Sequence, residues 1–378
     1  MPRRTLKHRV IRAAIPLRRR KSVITTVSAN KVTLQIGDRT WFVEADRDLP
    51  PFETYDFVAW IAGALSLQKG LPLRLDLPVS QGTALSLART SALWMVRMPG
   101  DCHPMNLELC NIVPDPPQPE TGGILCLSGG VDSTYAAIEA SRERAYSHGV
   151  LLHGMDIHFT DSQAFAGRRE RVARIAQYFG LDLMTVRTNI PASFRPSKSY
   201  LPMLLNCILF YTGNGLARGG FAADNTPDYG LMIEPEANIL GVETYFQSPS
   251  FAIDYLGWAQ TRAEKLAAIH ACSPALLADL CVCQLRRPDG GNCGECEKCM
   301  RNRLALEICG LDQRLTFPDQ RDTIGFYEDL TRSDPVLARL GLLQTEQLGL
   351  ALPEGEDRRR LLARAEDLRK SHIGHQAP

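Results

Sequence analysis

The stretch that decides the fold runs from Gly123 to Ala140 and reads GILCLSGGVDSTYAAIEA. Its first five residues are apolar and predict a buried β-strand, while TYAAIEA at its end is typical of a helix. Gly129 and Gly130 lack Cβ atoms, so the backbone between strand and helix can turn sharply. Successive N–H groups then point to one place, at the positive end of the helix dipole. The stretch predicts a strand, an anion-binding loop and a helix.

The loop SGGVDS, residues 128–133, also carries polar side chains. Ser128 and Ser133 offer hydroxyl donors, and Asp132 is suited to hold Mg²⁺ or to position a nucleotide hydroxyl. We predict that this loop binds the phosphates of a nucleotide. It is not a Walker A loop, because no Gly-Lys-Ser/Thr follows. The alternative is an ordinary glycine turn with a Ser or Asp helix cap, which any strand-to-helix junction can contain.

The central region, residues 119–310, alternates short apolar runs with helix-like stretches. The apolar runs lie at 123–127, 149–155, 183–186 and 230–233, and the clearest helix-like stretch lies at 162–179. Buried parallel strands joined by crossover helices produce this alternation. The predicted fold class is therefore α/β, with a doubly wound parallel sheet.

Residues 1–118 are predicted to form a smaller strand-containing domain whose role the sequence does not indicate. The runs on either side of Gly37 and Asp38 predict a β-hairpin. Residues 55–69 predict a helix, and the apolar run from Leu93 to Val96 predicts a further strand.

Residues 311–378 are predicted to form a helical extension at the carboxyl end of the chain. Within them, Arg358 to Lys370 is a charged segment with a narrow apolar stripe. We therefore expect at least one amphipathic helix in this region.

Five of the eleven cysteines lie between Cys281 and Cys299. Zn²⁺ accepts four thiolates in tetrahedral geometry, and two-residue spacings let a tight turn present adjacent sulfurs to one ion. Cys293, Cys296 and Cys299 supply three ligands, and the fourth is either Cys283 or Cys281. Since no open coordination position is evident, we predict a structural zinc. The alternative is that these residues are buried free thiols.

Composition and charge limit the classes of protein. The 378-residue chain is 44% hydrophobic and 22% charged, which excludes a wholly disordered, collagen-like or coiled-coil protein. Its 43 basic and 42 acidic residues leave a net charge of +1, so the overall charge favours neither nucleic acid nor an acidic membrane as partner. No apolar run reaches the roughly 18 residues that a membrane span requires. Crowded cysteines without a signal-peptide pattern predict a cytoplasmic protein whose cysteines bind metal.

Ten basic residues precede the first acidic residue, Asp38. One interpretation is an arm that binds nucleic-acid phosphates, and a second is an organellar transit peptide, although serines are few. The third interpretation is a solvated strand edge or terminus, which is what short basic runs usually form. Nucleic acid therefore stays open as a partner.

The SGGVDS loop, followed by the pattern Cys-x9-Cys-x2-Cys-x2-Cys, resembles the PP-loop ATP pyrophosphatases, and among them the 7-cyano-7-deazaguanine synthase family. The resemblance covers residues 121–310. It implies ATP, Mg²⁺ and Zn²⁺ as cofactors. The residues that it implies are Ser128, Gly129, Gly130, Val131, Asp132 and Ser133 for ATP, Asp132, Ser133 and Lys265 for catalysis, and Cys283, Cys293, Cys296 and Cys299 for zinc.

In that family ATP adenylates a carboxylate on a deazaguanine base, and a nitrogen nucleophile then attacks. The resemblance thus implies an ATP-dependent carbon–nitrogen ligase that releases AMP and pyrophosphate and acts on a small carboxylated base. Such chemistry needs N–H donors and Mg²⁺ near the departing phosphates, but no nucleophilic side chain. His153 and Gly154 end the second predicted strand, where their backbone atoms are expected to line an adenine pocket. No triad of His153, Asp156 and His158 is predicted.

Parts of the chain depart from the family. Residues 195–199 and 234–251 do not match its segments at those places, so recognition of the base stays open. Glu234 and Glu236 follow the run that ends at Ile233 and are candidate substrate residues. Enlarged relatives resemble components of bacterial anti-phage systems, in which a protein amine is the acceptor. An RNA-modifying enzyme, a non-catalytic nucleotide-binding module and a homodimer are further alternatives.

Overall fold

The computed structural model describes residues 20–97, 102–143, 145–193, 201–227, 241–283, 287, 289–330 and 335–373. The strands in these residues are β1 (Lys21–Ser22), β2 (Ile24–Val27), β3 (Lys31–Ile36), β4 (Arg39–Ala45), β5 (Leu73–Ser80), β6 (Leu107–Val113), β7 (Gly123–Cys126), β8 (His148–His153), β9 (Asp182–Thr188), β10 (Arg218–Ala222) and β11 (Ala252–Leu256).

The α-helices that lie within the same residues are α1 (Asp56–Lys69), α2 (Gln81–Arg97), α3 (Val131–Glu143), α4 (Ser162–Tyr178), α5 (Leu201–Thr212), α6 (Arg262–Cys272), α7 (Pro274–Asp279), α8 (Glu297–Ile308), α9 (Thr323–Glu328), α10 (Pro335–Ala351) and α11 (Glu356–Ile373). Short 3₁₀ helices lie at Ile190–Ser193, Val242–Tyr245 and Gln313–Leu315. None of the helices in the described residues is long and apolar enough to cross a membrane.

The main sheet has the strand order β11-β10-β7-β8-β9-β4-β3-β2. The five strands from β11 to β9 run parallel, and β4, β3 and β2 are added antiparallel. The predicted α/β class with a parallel sheet is confirmed. After β7 the chain adds β8 and β9 on one side of that strand, and later β10 and β11 on the other.

Helices cover both faces of this sheet around β7. Ile124 and Cys126 belong to a hydrophobic core that includes residues of α1 and α5. Leu125 and Leu127 belong to a second core that includes residues of α3, α4 and α6. Because successive strand residues point to opposite faces, both faces of β7 are buried, which explains its unbroken apolar run.

The amino-terminal strands extend the main sheet. The predicted hairpin is confirmed as β3 and β4, which turn at Gly37 with a φ of 64°. Strand β4 then pairs with β9, where Val43 lies opposite Thr188. Hydrogen bonds therefore cross the predicted boundary at residue 118, and the division of the chain into domains stays a prediction.

The smaller sheet has the order β1-β5-β6, with parallel pairs, and contacts α1 and α2. The strand predicted from Leu93 to Val96 is wrong, because this run belongs to α2. Four apolar residues are too few to separate a strand from a helix by periodicity. The buried positions of α2 recur at helical spacing: Thr83, Ser86, Leu87, Thr90 and Trp94.

Three other predicted strands and three predicted helices are present in the structure. The runs at 123–127, 149–155 and 183–186 correspond to β7, β8 and β9, and the helices predicted at 55–69, 162–179 and 358–370 correspond to α1, α4 and α11. The run at 230–233 lies outside the described residues.

Strand β10 was missed because its sequence, RGGFA, is weak in strand-forming residues. A Cβ on Gly219 would lie 3.0 Å from Phe251, and one on Gly220 would lie 2.7 Å from the Tyr146 hydroxyl.

Gly154, directly after β8, approaches the end of β9 so closely that it requires glycine. Its φ is 133°, and a Cβ would overlap the carbonyl oxygen of Thr188. We predict that Gly154→Ala lowers the free energy of unfolding by about 3 kcal/mol or more, from backbone strain and overlap together. Gly180→Ala is the control: φ is 68° there and no neighbour lies within 4 Å, so it should cost only about 1 kcal/mol. Urea denaturation measures both, and equal losses would contradict the prediction.

Candidate functional site

The loop SGGVDS connects the carboxyl end of β7 to the first turn of α3. Gly129 has a φ of 77°, and a Cβ there would lie 2.7 Å from Cγ2 of Val172 on α4. A larger residue would be strained and would also displace the helix. The sharp turn predicted from the two glycines is therefore present, and it is packed against α4.

Backbone donors of this loop are open. The first α-helical hydrogen bond of α3 runs from the Thr134 N–H to the carbonyl oxygen of Gly130, at 3.0 Å. Within the described part of the chain, the N–H groups of Gly129, Val131, Asp132 and Ser133 donate to no acceptor. Such donors at the positive end of a helix are suited to bind an anion.

The two serine hydroxyls of the loop brace its backbone. The Oγ atoms of Ser128 and Ser133 lie 3.1 Å apart, and Ser133 Oγ donates to the carbonyl oxygen of Gly130 at 3.2 Å. The Ser128 N–H donates to Ser133 Oγ at 3.2 Å. In this arrangement the hydroxyls fix the shape of the loop and accept from the N–H groups of Ser128 and Gly130, while the other four N–H groups stay available among the described residues.

Asp132 contacts two cations of α6. Lys265 Nζ donates to Asp132 Oδ1 at 3.0 Å, and Arg262 Nη2 donates to Oδ2 at 2.9 Å. Lys265 is only 1% exposed, and it also donates to the carbonyl oxygen of Ala223, directly after β10, at 2.7 Å. The structure therefore brings together three predicted residues, Asp132, Ser133 and Lys265, at the carboxyl edge of β7 and β10.

The start of α6 explains why both cations face the loop. Thr261 caps the helix: its Oγ1 accepts from the Glu264 N–H, and the Glu264 carboxylate accepts from the Thr261 N–H at 2.7 Å. This capping box fixes the first turn. Arg262 and Lys265 are three residues apart, so they share one helix face.

The charges around Asp132 are predominantly positive. Burial raises the pKa of Asp132, but the charges of Arg262, Lys265 and Arg301 outweigh it and hold that pKa below its ordinary value. Arg301 lies on α8, where burial and then the charge of Arg262 lower its pKa. Glu297 is the acidic neighbour of Arg301 on the same helix. Three cations thus face two carboxylates, and the excess positive charge favours binding of an anion.

This arrangement fits a polyphosphate better than a metal ion held by Asp132. Both carboxylate oxygens already accept hydrogen bonds from cations. A Mg²⁺ ion at the same atoms would be repelled by Arg262 and Lys265. The residues present therefore do not fit the predicted role of Asp132 as a direct Mg²⁺ ligand.

His153 and Gly154 lie at the end of β8, the strand beside β7, but their polar atoms are engaged. The His153 ring stacks on Phe165 with centroids 4.1 Å apart, and its Nε2 lies 2.9 Å from the carbonyl oxygen of His158. Burial lowers the pKa of His153, which favours the neutral ring. The Gly154 N–H donates to the carbonyl oxygen of Ile157 at 2.9 Å. Their place at an adenine pocket stays a prediction.

The side chains of His153, Asp156 and His158 each have their own contacts in the described residues. The buried Arg168 donates to Asp156 Oδ2 at 3.1 Å. His158 Nδ1 lies 2.7 Å from the Thr160 hydroxyl. The carboxylate and the rings are thus held by different partners.

Four cysteines form a cluster that can hold one metal ion. The sulfurs of Cys283, Cys293, Cys296 and Cys299 all lie within 4.8 Å of one another. The separations are 3.8 Å from Cys283 to Cys296, 3.8 Å from Cys293 to Cys299, and 3.5 Å from Cys296 to Cys299. A tetrahedral zinc ion with bonds of about 2.3 Å separates its sulfurs by about 3.8 Å. The cluster is therefore compatible with zinc.

Cys281, the other candidate for the fourth ligand, has a different contact. Its backbone N–H donates to the carbonyl oxygen of Gly129 at 2.7 Å. Asn292 holds the next residues, because its Oδ1 accepts from the N–H groups of Val282 and Cys283 at 2.9 and 3.2 Å. The segment 281–283 thus ties the cysteine cluster to the loop.

Some residues of this site were missed by the sequence reasoning, and others lie outside the described residues. The sequence does contain a signal for Arg262, because it lies three residues before Lys265 and so shares its helix face. Arg301 had none, because no local pattern indicates that a residue of α8, the helix that begins at Glu297, lies near enough to act on Asp132. The candidates Glu234 and Glu236, the segment 195–199 and the basic residues before Arg20 lie outside the described residues.

Comparisons with known proteins identify no family. No protein-family model matches the chain, and no curated protein matches its sequence. Its function is therefore inferred from the residues and their geometry.

The cysteine cluster makes a metal-content prediction. We expect about one zinc ion per chain in the purified protein, and little zinc in Cys296→Ser, because that change removes one of four thiolates. Cys281→Ser is the matched control and should keep its zinc, since the Cys281 sulfur is outside the cluster. Metal analysis by mass spectrometry decides this. Zinc retained by Cys296→Ser, or lost by Cys281→Ser, would contradict the assignment.

The ion pairs of Asp132 make a pH prediction. Because the pKa of Asp132 is lowered in the folded protein, its pairing stabilises the fold above the ordinary pKa and is lost as the pH falls through the lowered value. We expect Asp132→Asn to cost about 3 kcal/mol of unfolding free energy. This cost should stay constant from about pH 8 to about pH 5.

Urea denaturation across that pH range measures the cost. Asp367→Asn, at an exposed carboxylate on α11, is the control and should change little at any pH. A cost for Asp132→Asn that already declines above about pH 5 would show that its pKa is not lowered.

Proposed function

We propose that the protein binds ATP at the SGGVDS loop and uses it to adenylate a carboxylate, which a nitrogen nucleophile then attacks. The observation that carries the proposal is the set of N–H groups at Gly129, Val131, Asp132 and Ser133 that find no acceptor among the described residues, beside the buried cation Lys265. Backbone donors and fixed cations in one place are suited to a polyphosphate.

The strand order supports the finer fold proposal. We take the sheet to be a doubly wound PP-loop fold, in which β7 is the first strand of the nucleotide-binding half. The chain builds the sheet outwards from β7 on both sides. In such sheets ligands bind at the carboxyl ends of the strands where the direction of building reverses, and the loop after β7 lies there.

The proposed reaction has two steps. A carboxylate oxygen of the substrate attacks the α-phosphorus of ATP, and the bond to the bridging oxygen breaks, so that pyrophosphate leaves. A nitrogen lone pair then attacks the acyl carbon, AMP leaves with the electrons of the carbon–oxygen bond, and the nitrogen loses a proton. The result is a carbon–nitrogen bond formed with ATP as the energy source.

In the first step the chain stabilises charge on the leaving group. Negative charge grows on the departing pyrophosphate. In this proposal the loop N–H groups, Arg262 and Lys265 stabilise that charge. In this proposal Mg²⁺ arrives with the nucleotide phosphates, as it commonly does. Asp132 holds the two cations in place.

The substrate class is the finer part of the proposal. The combination of the loop with four cysteines resembles the 7-cyano-7-deazaguanine synthase family, so we propose a carboxylated deazaguanine-type base as the substrate. Either ammonia or a protein amine is the acceptor. The zinc proposed for the cysteine cluster has a structural role, because four thiolates complete its coordination.

The test is release of AMP and pyrophosphate. Purified protein is incubated with ATP, Mg²⁺ and a panel of carboxylated bases, with ammonia or candidate proteins as acceptors, and products are identified by mass spectrometry. We expect AMP and pyrophosphate in equal amounts with one class of carboxylate. ATP binding without release for any substrate would favour a non-catalytic nucleotide-binding module.

A variant series connects the activity to the site. We expect Lys265→Met to lower kcat/KM for ATP by about 100-fold or more, because it removes a buried cation from the site of developing charge. Lys69→Met, an exposed lysine at the end of α1, is the matched control and should have no effect. If Lys265→Met does not fold, Arg262→Gln tests the same charge. Full activity in both site variants would overturn the assignment.

A further inference from the structure

The carboxyl-terminal helices reach the charged cluster through Gln344. This residue lies on α10 and is 5% exposed. We assign its amide the orientation that satisfies both neighbours: the nitrogen donates to Glu297 Oε1 and the oxygen accepts from Arg301 Nη1, each at 2.7 Å. Gln344 therefore lies between two side chains of α8.

Glu297 and Arg301 are suited to form an ion pair with each other. They are four residues apart on α8, with the acid on the amino-terminal side, which is the favourable order for a direct ion pair within a helix. The amide of Gln344 contacts both at once. It accepts from the guanidinium and donates to the carboxylate, so Arg301 does not need Glu297 as its hydrogen-bond partner.

Arg301 lies on α8, which packs against α6, the helix that carries Arg262 and Lys265. Its charge acts on the Asp132 carboxylate and on Arg262. Its Nε is buried and, among the described residues, has no hydrogen-bond partner. The guanidinium thus has one donor left for an anion.

The helices around Gln344 are tied to α8 and to one another at other points. Thr323 Oγ1 on α9 donates to Glu307 Oε2 at 2.6 Å, and Arg360 on α11 donates to Glu328 Oε2 at 2.6 Å. Helices α9, α10 and α11 also share a small hydrophobic core with Leu304 of α8. The position of Gln344 is therefore fixed by packing as well as by its own hydrogen bonds.

We infer that Gln344 is a positioning residue that keeps Arg301 directed towards the loop, so that the carboxyl-terminal helices complete the nucleotide-binding site. The inference rests on the proposed function and deepens it: Arg301 contacts the phosphate end of the nucleotide. Without the Gln344 amide, Arg301 turns to Glu297 and is lost to the ligand.

The test compares phosphate binding with nucleoside binding. Dissociation constants for inorganic pyrophosphate, ATP and adenosine are measured by calorimetry on the full chain. We expect Gln344→Met to weaken pyrophosphate and ATP binding by about tenfold, the effect of losing one hydrogen bond to a charged group. Adenosine binding, which involves no phosphate, should be unchanged. A loss of general structure would weaken all three.

A second change isolates the competition with Glu297. In Glu297→Gln the competing charge is removed, so adding Gln344→Met to it should weaken pyrophosphate binding by much less than tenfold. Gln347→Met, on the same helix and partly exposed, is the matched control and should have no effect. If Gln344→Met does not fold, Gln344→Asn tests the same contact, because the shorter amide cannot reach both partners.

The outcomes separate the two proposals. Wild-type protein that binds neither pyrophosphate nor ATP overturns the proposed function. Wild-type protein that binds both, with unchanged affinities in Gln344→Met and Gln344→Asn, overturns the role of Gln344 alone. An equal loss on the Glu297→Gln background would show that Gln344 does not act by separating Arg301 from Glu297.

Discussion

The buried contact between Lys265 and Asp132 is the interaction on which the site depends. One ammonium group donates to Asp132 and to the carbonyl oxygen of Ala223, so it joins α3, β10 and α6. Removing two charges from water costs several kcal/mol per ion, and an ion pair alone seldom offsets this. Here the buried charges make further hydrogen bonds, including the one that Asp132 accepts from Arg262. The charge that remains is positive, so an anion bound at the loop would be stabilised by a group that is already assembled.

The cysteine cluster is coupled to this group by short covalent paths. Cys283 is two residues from Cys281, whose N–H holds the carbonyl oxygen of Gly129. Cys296 immediately precedes α8, the helix of Arg301, whose charge acts on Asp132. A metal ion that fixes the four sulfurs would therefore fix both the segment beside the loop and the helix that supplies the third cation. In the proposed function, a closed metal site would thus support nucleotide binding without any contact between metal and nucleotide.

Local signals predicted the parts of this structure that local physics determines. The strand, loop and helix around SGGVDS follow from an apolar run, two glycines and a helix-like segment, and the hairpin at Gly37 follows from its turn. Strand β10 was missed because Gly219 and Gly220 are there for close contacts with Phe251 and Tyr146, which no local pattern shows. The pairing of β4 with β9 likewise joins segments far apart in the chain. Such pairings depend on tertiary packing, which a single sequence does not display.

The same distinction applies within the site. Lys265 was found through a resemblance. Arg262 was missed, although helical spacing indicates it, and Arg301 and Gln344 come from regions that approach the site only in the folded chain. Their contacts indicate that residues 311–378 do more than cover a hydrophobic surface. A helix that only covered a hydrophobic surface would not need a buried amide between a carboxylate and a guanidinium. Because a polar group is costly to bury unless its hydrogen bonds are satisfied, the position of Gln344 is better explained by the charge that it directs than by packing alone.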